Sequence, residues 1–375
     1  MSVHLLHTAD LQLGKGFGQF PPDVAAVLRA ARMQTLARIA TLAAEKSVDA
    51  VLVAGDCFDD IAVADDTLRR FLVALEAFEG PWILLPGNHD PAIAESPWQR
   101  LRRIGIPDNL IIADTPEPIV LGARAVVLPA PLRRRRDAAD LTAWFDQAHT
   151  PHGVTRVGLA HGSVRELLPE GSEAANPVAL DRAERARLDY LALGDWHGRL
   201  RVGERTWYSG TPEPDRFRAN DPGSVLEVRL EAPGEPPHVD AVALACHEWR
   251  QLTLDIVPGG AHAVRDAISQ ESAGDGPGLA RLVLRLRLTG TVDLTTRAAL
   301  DEALADLGAR VVHLDQDDSD LRVEPTDEDL DGIETTGFVR VAMDALRRQS
   351  REQDDATARR ALALLYGLHQ QRSGG

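Results

Sequence analysis

Short apolar runs recur through the first half of the chain, and each ends abruptly in polar residues. Runs of four or five apolar residues with little alternation are typical of strands that are buried on both faces. The runs lie at residues 3–6, 50–54, 82–85, 157–160 and 190–193. Apolar positions at helical spacing fill residues 24–46 and 67–78 between them. This alternation of strand and helix predicts an α/β sandwich with a mixed sheet.

We expect the sheet domain to end near Ala245, after the proline-rich residues 231–237. We assign residues 1–245 to that domain and residues 246–332 to a small α+β domain. Its strand and helix patterns alternate, at residues 247–256, 261–271, 281–288, 295–307 and 309–314. Residues 335–375 carry two further helical patterns, at 338–348 and 354–371. The last has an apolar stripe, which either packs on its own domain or binds the helices of another protein.

Composition excludes several classes of protein. Hydrophobic residues make up 44% and charged residues 26% of the 375 residues, as in soluble globular proteins. Two cysteines, Cys57 and Cys246, are too few for a disulfide framework or a four-thiolate zinc site. No apolar stretch approaches the roughly 20 residues that cross a bilayer, and the amino terminus lacks a basic signal region. We therefore expect a cytoplasmic protein with no membrane association.

The charge balance limits how nucleic acid can be bound. Lys and Arg number 41 against 57 Asp and Glu, which gives a net charge of −16. A protein held on nucleic acid by its overall field is normally basic. A DNA substrate would therefore need a local basic patch, metal ions or a partner protein.

Metal-type ligands follow each of the five apolar runs. In open α/β sheets, ligands bind beyond the carboxyl ends of the strands, so these groups are expected to converge on one rim. The groups are Asp10, Gln12, Asp56, Asn88, His89, His161, Asp195 and His197. Oxygen and imidazole donors without thiolate favour Mn²⁺ or Fe²⁺, with Mg²⁺ or Zn²⁺ less suited. Their number exceeds the need of one ion and predicts two ions about 3.5–4 Å apart that act on a phosphoryl group.

The order of these motifs resembles the calcineurin-like metallophosphoesterase superfamily. The motifs are Asp10 with its neighbours, Gly55-Asp-Cys-Phe-Asp59, Gly87-Asn-His-Asp90, Ala160-His-Gly162 and Gly194-Asp-Trp-His197. More narrowly, residues 7–14 (HTADLQLG) and 208–214 (YSGTPEP) resemble nuclease subunits of the SbcD and Mre type. This resemblance implies a metallophosphoesterase β-sandwich flanked by helices, a capping domain and C-terminal helices that hold the coiled coil of an SbcC-like SMC-type ATPase. It covers residues 4–217, and the capping domain matches only in position and size.

The resemblance also implies roles for individual residues. Asp10 and His197 would bind the first metal, and Asp56 would bridge the two. Asn88 and His161 would bind the second metal. His89 would approach the scissile phosphate as a cation or hydrogen-bond donor, and Asp90 would orient His89 or a ligand.

Two residues depart from the pattern of the superfamily. Gln12 stands where the superfamily has a first-metal histidine, and Asp195 where it has a second-metal histidine. An amide oxygen is a neutral, weaker donor than imidazole, whereas a carboxylate adds a negative charge. We expect Asp195 to hold the second ion tightly, to make it a poorer Lewis acid and to repel a phosphodiester. Altered metal preference or reduced turnover would follow.

Four arginines are candidates for contacts with substrate phosphates. Arg133 and Arg134 follow residues 129–131, and Arg216 and Arg218 follow the Pro-Glu-Pro turn. The alternatives are a solvated loop for the first pair and ion pairs with Asp215 or Asp221 for the second.

The leading hypothesis is a two-metal phosphodiesterase that acts on DNA ends as the nuclease subunit of an SbcCD-like complex. Two alternatives remain open. One is a phosphodiesterase with small substrates, and the other is a weakly active, metal-binding scaffold for an ATPase partner. Relatives dimerise through helices of the catalytic domain, so residues 59–78 or 92–104 are candidates for a homodimer contact.

Overall fold

A computed structural model describes residues 2–167, 175–218, 220–272, 278–324, 326, 338–352, 355, 357–362 and 364–365. The chain divides into two compact units, Met1–Cys246 and His247–Gly375. The first unit contains two six-stranded sheets, and the second contains one sheet of three strands.

The first large sheet has the strand order β14-β13-β1-β2-β3-β4. Strands β1 to β4 are parallel, and β13 joins β1 antiparallel. Its strands are β1 (Val3–Thr8), β2 (Ala50–Val53), β3 (Trp82–Leu84), β4 (Leu110–Ile112), β13 (Ser224–Leu230) and β14 (His238–Ala243). Three of the apolar runs therefore form neighbouring parallel strands whose carboxyl ends lie on the same rim.

The second large sheet has the order β11-β12-β10-β7-β6-β5, with β12, β10, β7 and β6 parallel. Its strands are β5 (Ile119–Leu121), β6 (Ala125–Ala130), β7 (Thr155–His161), β10 (Tyr190–Gly194), β11 (Leu200–Arg201) and β12 (Thr206–Tyr208). A separate pair, β8 (Ser163–Val164) and β9 (Pro177–Val178), follows β7. The remaining two apolar runs thus lie side by side in β7 and β10.

The two sheets pack face to face, and helices cover the first sheet on its outer side. Leu5 of β1 belongs to the core between the sheets, whereas Leu6 belongs to the core under the helices. The helices of this unit are α1 (Pro22–Lys46), α2 (Asp65–Leu75), α3 (Pro97–Ile104) and the short α4 (Arg182–Arg185). Burial on both faces explains why the strands lack polar alternation. The predicted α/β sandwich with a mixed sheet is confirmed.

The second unit is a parallel sheet with order β15-β16-β17, accompanied by helices. Its elements are β15 (Glu248–Ile256), α5 (His262–Ser272), β16 (Leu282–Val292), α6 (Leu294–Arg310) and β17 (His313–Val323). Leu284, Leu286 and Leu288 of β16 are fully buried in its core beside Leu300 of α6. The alternating leucines of the sequence therefore mark the face of the sheet that packs on the helices.

One predicted element of this unit is wrong in its position. The apolar pattern predicts a strand at residues 309–314, but α6 continues to Arg310 and β17 begins at His313. The strand instead extends through an aspartate-rich segment of low β propensity. Arginines of the neighbouring strand β16 compensate, because Arg285 pairs with Asp315 at 2.6 Å and Arg287 pairs with Asp320. Cross-strand ion pairs of this kind cannot be read from the apolar pattern.

The C-terminal residues are helical where the structure describes them. Helix α7 spans Phe338–Glu352, and residues 357–362 and 364–365 are also helical. The rest of the helix predicted at 354–371 lies outside the described residues. Met343 and Leu362 pack with Leu294 of α6, while Phe338 is 84% exposed. No described helix has both the length and the apolarity that a membrane crossing requires.

Candidate metal centre

Four candidate ligands adopt a left-handed backbone conformation directly after strand ends. The φ angles are 54° at Asp10, 49° at Gln12, 53° at Asp56 and 97° at Asp195. Residues other than glycine rarely adopt this conformation because the Cβ atom crowds the backbone. Such conformations cluster at functional sites, where the surrounding structure holds them. The backbone is therefore strained at the rim of the sheets where the candidate ligands meet.

Three buried side chains form the centre of the site. Ligand atoms of Asp10, Asp56 and His161 all lie within 4.8 Å of one another. The neighbouring groups are close, since Asn88 Oδ1 lies 2.7 Å from His161 Nε2 and His197 Nε2 lies 3.8 Å from Asp10 Oδ1. Side chains from the ends of both large sheets therefore converge, as the positions of the motifs indicate.

Two glycines allow the strand-end loops to approach so closely. A Cβ atom on Gly55 would lie 2.2 Å from His161 Nδ1, and one on Gly87 would lie 2.2 Å from Asp56 Oδ1. Distances this short are impossible for a real side chain without displacement of the ligand. Any substitution at either glycine would therefore push a candidate ligand out of place.

The imidazole of His161 faces three oxygen atoms. Its Nδ1 donates to the Ala54 carbonyl at 2.8 Å, which leaves Nε2 on the inner side. Nε2 lies 2.7 Å from Asn88 Oδ1, 3.5 Å from Asp56 Oδ1 and 3.8 Å from Asp195 Oδ1. A neutral ring would direct its Nε2 lone pair at these acceptors, so either a proton on Nε2 or a cation between the groups relieves the repulsion.

The charges of the centre also favour a bound cation. Burial disfavours the charged ring, but the carboxylates of Asp56, Asp10 and Asp195 outweigh it and raise the pKa of His161 to about 9. Burial, together with Asp56 and Asp195, raises the pKa of Asp10 to about 6 against the opposing charges of His197 and His161. Excess negative charge in a buried site is what a divalent cation would neutralise.

Gln12 provides a second test of whether a metal fits. Its Nε2 donates to Asp56 Oδ2 at 2.8 Å, while its buried Oε1 has no hydrogen-bond partner in the described part of the chain. A buried acceptor without a partner is costly. The donor set of oxygen and imidazole nitrogen, together with this amide oxygen, fits divalent metal ions.

His89 lies at the exposed side of the centre. Its ring Nδ1 donates to the Asp59 carbonyl at 2.7 Å, and its backbone nitrogen donates to Asp56 Oδ1 at 2.9 Å. Nε2 is then left 4.0 Å from Asp56 Oδ2, and the side chain is 41% exposed. The ring is therefore held at one nitrogen, and the other is accessible to a substrate that enters the site.

Asp90 contacts backbone rather than the His89 ring. Its carboxylate accepts hydrogen bonds from the backbone nitrogens of Gly87, at 2.7 Å, and Phe58, at 3.0 Å. Burial and the charge of Asp56 raise the pKa of Asp90 to about 8, although those two hydrogen bonds oppose the rise. Asp90 thus ties together the loops that carry Asp56 and Asn88. It supports ligands, whereas the described contacts show no bond between its carboxylate and the imidazole of His89.

Asp215 contacts Nδ1 of His197, whereas the other ring nitrogen of His197 lies near Asp10. Asp215 was not predicted as a site residue. Its Oδ2 lies 3.2 Å from His197 Nδ1, 3.3 Å from Lys15 Nζ and 3.9 Å from Arg32 Nη2. Burial would raise the pKa of Asp215, but hydrogen bonds from His197 and Arg216 and the charge of Arg32 hold it well below its usual range. A carboxylate behind a ligating imidazole fixes its orientation and tautomer.

Asp195 has its own polar support. Ser163 Oγ donates to Asp195 Oδ2 at 2.6 Å, and the Asp195 backbone nitrogen donates to Asp10 Oδ2 at 3.2 Å. The Asp195 side chain is 29% exposed, so it borders both the buried centre and solvent. Hydrogen bonds thus hold Asp195 in place, although this residue departs from the histidine pattern.

The four arginines have different surroundings. Arg134 pairs with Asp137 at 2.7 Å, and Arg218 stacks over the Trp196 ring at 5.3 Å. Arg216 pairs with Asp215, and its Nη2 lies 2.9 Å from His197 Nδ1. Arg133 is exposed and forms no ion pair with the residues that the structure describes. Arg216 is thus engaged behind a ligand, while Arg133 is available to a substrate.

Comparison with known proteins decides the family. Residues 3–199 match the model of the calcineurin-like phosphoesterases, which is more than half of the chain. The chain belongs to this family. The match includes the strand ends that carry all of the candidate ligands from Asp10 to His197. Family membership and the buried cluster of Asp10, Asp56 and His161 together indicate a hydrolase with divalent metal ions.

Two individual proteins resemble this family member. The SbcD subunit of the nuclease SbcCD of Rhodobacter capsulatus is 26% identical over 263 residues, which cover 56% of this chain and 62% of that protein. This chain therefore spans less than two thirds of its relative. The structure of the sulfate thiohydrolase SoxB of Thermus thermophilus with glycerol superposes with a TM-score of 0.39 and 14% identity, over 65% of this chain and 57% of that one.

Proposed function

We propose that this chain is a two-metal phosphodiesterase that cleaves DNA at or near strand ends. The observation that carries the proposal is the convergence of Asp10, Asp56 and His161 within 4.8 Å, with further donors from both sheets around them. Asp10 and His197 would hold one ion, Asn88 and His161 the other, and Asp56 would lie between them. Such ions would activate water and stabilise the charge that develops on the phosphoryl oxygens.

The residues around the ions have separate tasks. As the imidazolium, His89 donates a proton or hydrogen bond from Nε2 to a phosphate oxygen, because its Nδ1–H is held by the Asp59 carbonyl and Nε2 is accessible. Asp215 keeps His197 in one orientation, and Asp90 keeps the loops of Asp56 and Asn88 in register. Mn²⁺ is the proposed metal, since oxygen and nitrogen donors without thiolate suit it.

DNA is proposed as the substrate because the 26% identical relative is a subunit of a nuclease. The exposed Arg133 supplies local positive charge that an acidic protein needs in order to hold a phosphodiester backbone. That relative is one component of an assembly, so we propose an SbcC-like ATPase as the partner of this chain. The exposed apolar residues Phe338 and Val341 on α7, 84% and 68% accessible, are proposed as its contact.

The test compares His89→Ala with His238→Ala on end-labelled linear DNA and on circular DNA, with Mn²⁺ and with a chelator. His238 is a matched control because its side chain is 67% exposed on β14. We expect Mn²⁺-dependent degradation of linear DNA that falls by about 100-fold or more in His89→Ala, the usual contribution of a general acid. His238→Ala should retain the wild-type rate.

Two outcomes would replace the proposal. Hydrolysis of small diesters without cleavage of DNA, even with the ATPase present, would identify a phosphodiesterase for small substrates. Binding of Mn²⁺ with neither activity would identify a metal-binding scaffold. The carboxylate of Asp195, 3.8 Å from His161, is the feature that favours this last function.

A further inference from the structure

A cavity of about 550 Å³ lies at the carboxyl end of β6 and is separate from the metal centre. Five apolar residues and four charged ones line it, the charged residues being Arg133, Arg134, Asp137 and Asp140. The apolar lining comes from Pro116, Ala130, Pro131, Leu141 and Trp144. The volume falls within the roughly 300–1,000 Å³ of pockets that bind small molecules. None of the candidate ligands lines it, so metal binding does not account for it.

The cavity adjoins the metal centre through the pairing of β6 with β7. Ala130, in its wall, is the register partner of Ala160, and the next residue of β7 is His161. The loop after β6 also contacts the loop of Asn88 and His89, since the Leu132 backbone nitrogen donates to the Pro86 carbonyl at 3.3 Å. Ala130 and Leu141 of this cavity also line a small cleft whose wall includes His161, so the cavity and the metal centre are neighbours.

Trp144 presents a ring that is held in place. Its Nε1 donates to the Pro129 carbonyl at 3.1 Å, and it packs edge to face on Phe145 with a centroid distance of 5.3 Å. A fixed aromatic ring beside prolines suits a flat, apolar face such as that of a nucleobase, because stacking tolerates any base. This chemistry differs from the oxygen and imidazole surroundings of the metal centre.

Arg133 provides a charge for the same ligand. It has no ion pair among the described residues, whereas Arg134, also at the cavity, is neutralised by Asp137 at 2.7 Å. The other carboxylate of the lining, Asp140, is paired with Arg182 at 2.6 Å, so Arg133 is the charged side chain of the lining without an ion pair to a described residue. This combination matches a ligand that is apolar at one end and anionic at the other. A nucleotide has that chemistry.

We propose that this cavity binds the base of a nucleotide that neighbours the scissile phosphate, with Arg133 on the phosphate of that nucleotide. The inference rests on the proposed function and adds to it a substrate preference. A base within a duplex is stacked and paired, so it can enter the cavity only after it is released. Unpaired nucleotides at a DNA end are therefore the preferred substrate of the site.

The test uses two esters that release the same chromophore, thymidine 5′-(p-nitrophenyl phosphate) and methyl p-nitrophenyl phosphate, which has no base. Leu141→Trp fills the cavity, and Arg133→Ala removes a phosphate contact. We expect Leu141→Trp to lower kcat/KM for the thymidine ester by about tenfold, the lower part of the range for base stacking, and to leave hydrolysis of the methyl ester unchanged. Arg133→Ala should lower kcat/KM for both esters, because both carry the phosphate that Arg133 contacts. Arg136→Ala, an exposed arginine of the same loop that does not line the cavity, is the matched control.

Equal losses on both esters in Leu141→Trp, or none on either, would overturn the inference. A binding measurement keeps it testable if Leu141→Trp does not fold or if the chain hydrolyses nothing. By calorimetry, thymidine 5′-monophosphate should bind the wild-type protein at least about tenfold more tightly than 2-deoxyribose 5-phosphate. Equal affinities would refute the base pocket even if DNA is cleaved. If the protein does not cleave DNA but its two affinities differ widely, the proposed nuclease activity is refuted and the base pocket is retained.

Discussion

At the scale of single residues, the centre combines groups that the motifs indicate with groups that they do not. Asp10, Asp56 and His161 are expected together because each lies at or just after the end of a strand, and strand ends are visible in the apolar pattern. Asp215 is not expected as a support for His197, because an 18-residue separation carries no periodic signal. The positive φ angles of Gln12 and Asp195 are likewise not indicated by the motifs.

The substitution Asp195→His tests the effect of the third carboxylate. Asp195 Oδ1 lies 3.8 Å from His161 Nε2 and adds negative charge beside Asp10 and Asp56. We expect the substitution to raise the turnover of methyl p-nitrophenyl phosphate by about tenfold, equivalent to roughly 1.4 kcal/mol, because the site would repel the anionic substrate less.

Asp195→Asn is the control that separates charge from ligand type. If charge is the cause, both variants should gain activity, and both should bind Mn²⁺ more weakly in calorimetry. Turnover that is unchanged or lower in both would show that Asp195 does not attenuate the centre.

At the scale of elements, the contact between the two large sheets includes one polar pair. His7 of β1 is fully buried, with Nδ1 2.9 Å from the Tyr190 hydroxyl and Nε2 3.2 Å from the Leu193 carbonyl, both in β10. Burial lowers the pKa of His7 to about 3, although the hydrogen bond to Leu193 opposes this. The neutral ring thus links the first sheet to the second at a position near the metal centre.

This burial predicts a dependence of stability on pH. In the unfolded chain His7 takes up a proton below its ordinary pKa of 6.5, whereas the folded chain excludes the proton down to about pH 3. The free energy of unfolding therefore falls as the pH drops from 6.5 toward 3, by up to about 1.4 kcal/mol per pH unit from this residue.

The measurement is urea unfolding at a series of pH values. His7→Leu should be less stable than wild type at neutral pH, because Tyr190 loses a buried partner, but the difference should shrink as the pH falls. His152→Leu, at an exposed position, should retain the wild-type slope. Identical slopes for wild type and His7→Leu would contradict the account.

At the scale of the whole molecule, the candidate metal centre and the proposed partner contact fall in different units. The candidate metal centre lies within Met1–Cys246, while α7 belongs to His247–Gly375. The inner side of α7 packs on its own unit through Met343 and Leu294, and its outer side exposes Phe338 and Val341. The two alternatives for the apolar stripe concern the last predicted helix, 354–371, of which Ala358 and Leu362 are buried and Leu362 packs with Leu294.

Substitution of the exposed face tests the proposed partner contact. Phe338→Glu combined with Val341→Glu should abolish copurification with an SbcC-like ATPase, because two charges would replace the apolar surface. Hydrolysis of the methyl ester should be unaffected. Val73→Glu on α2, at a residue that is 63% exposed, is the matched control and should retain the ATPase. Retention of the ATPase by the double variant would place the contact elsewhere.

The sequence by itself determined the parallel strands and the ligands at their ends. Both are local properties, because an apolar run buried on two faces and the polar residue that terminates it are adjacent along the chain. Asp10, Asp56 and His161 could therefore be named without coordinates, as could the departures at Gln12 and Asp195.

Only the tertiary structure decided which distant groups support that centre. The contact of Asp215 with His197, the ion pairs that allow an aspartate-rich β17, and the cavity beside β6 all join segments whose proximity depends on strand order. Strand order follows from the packing of complete faces, a property of the assembled sheets that no single window of sequence contains.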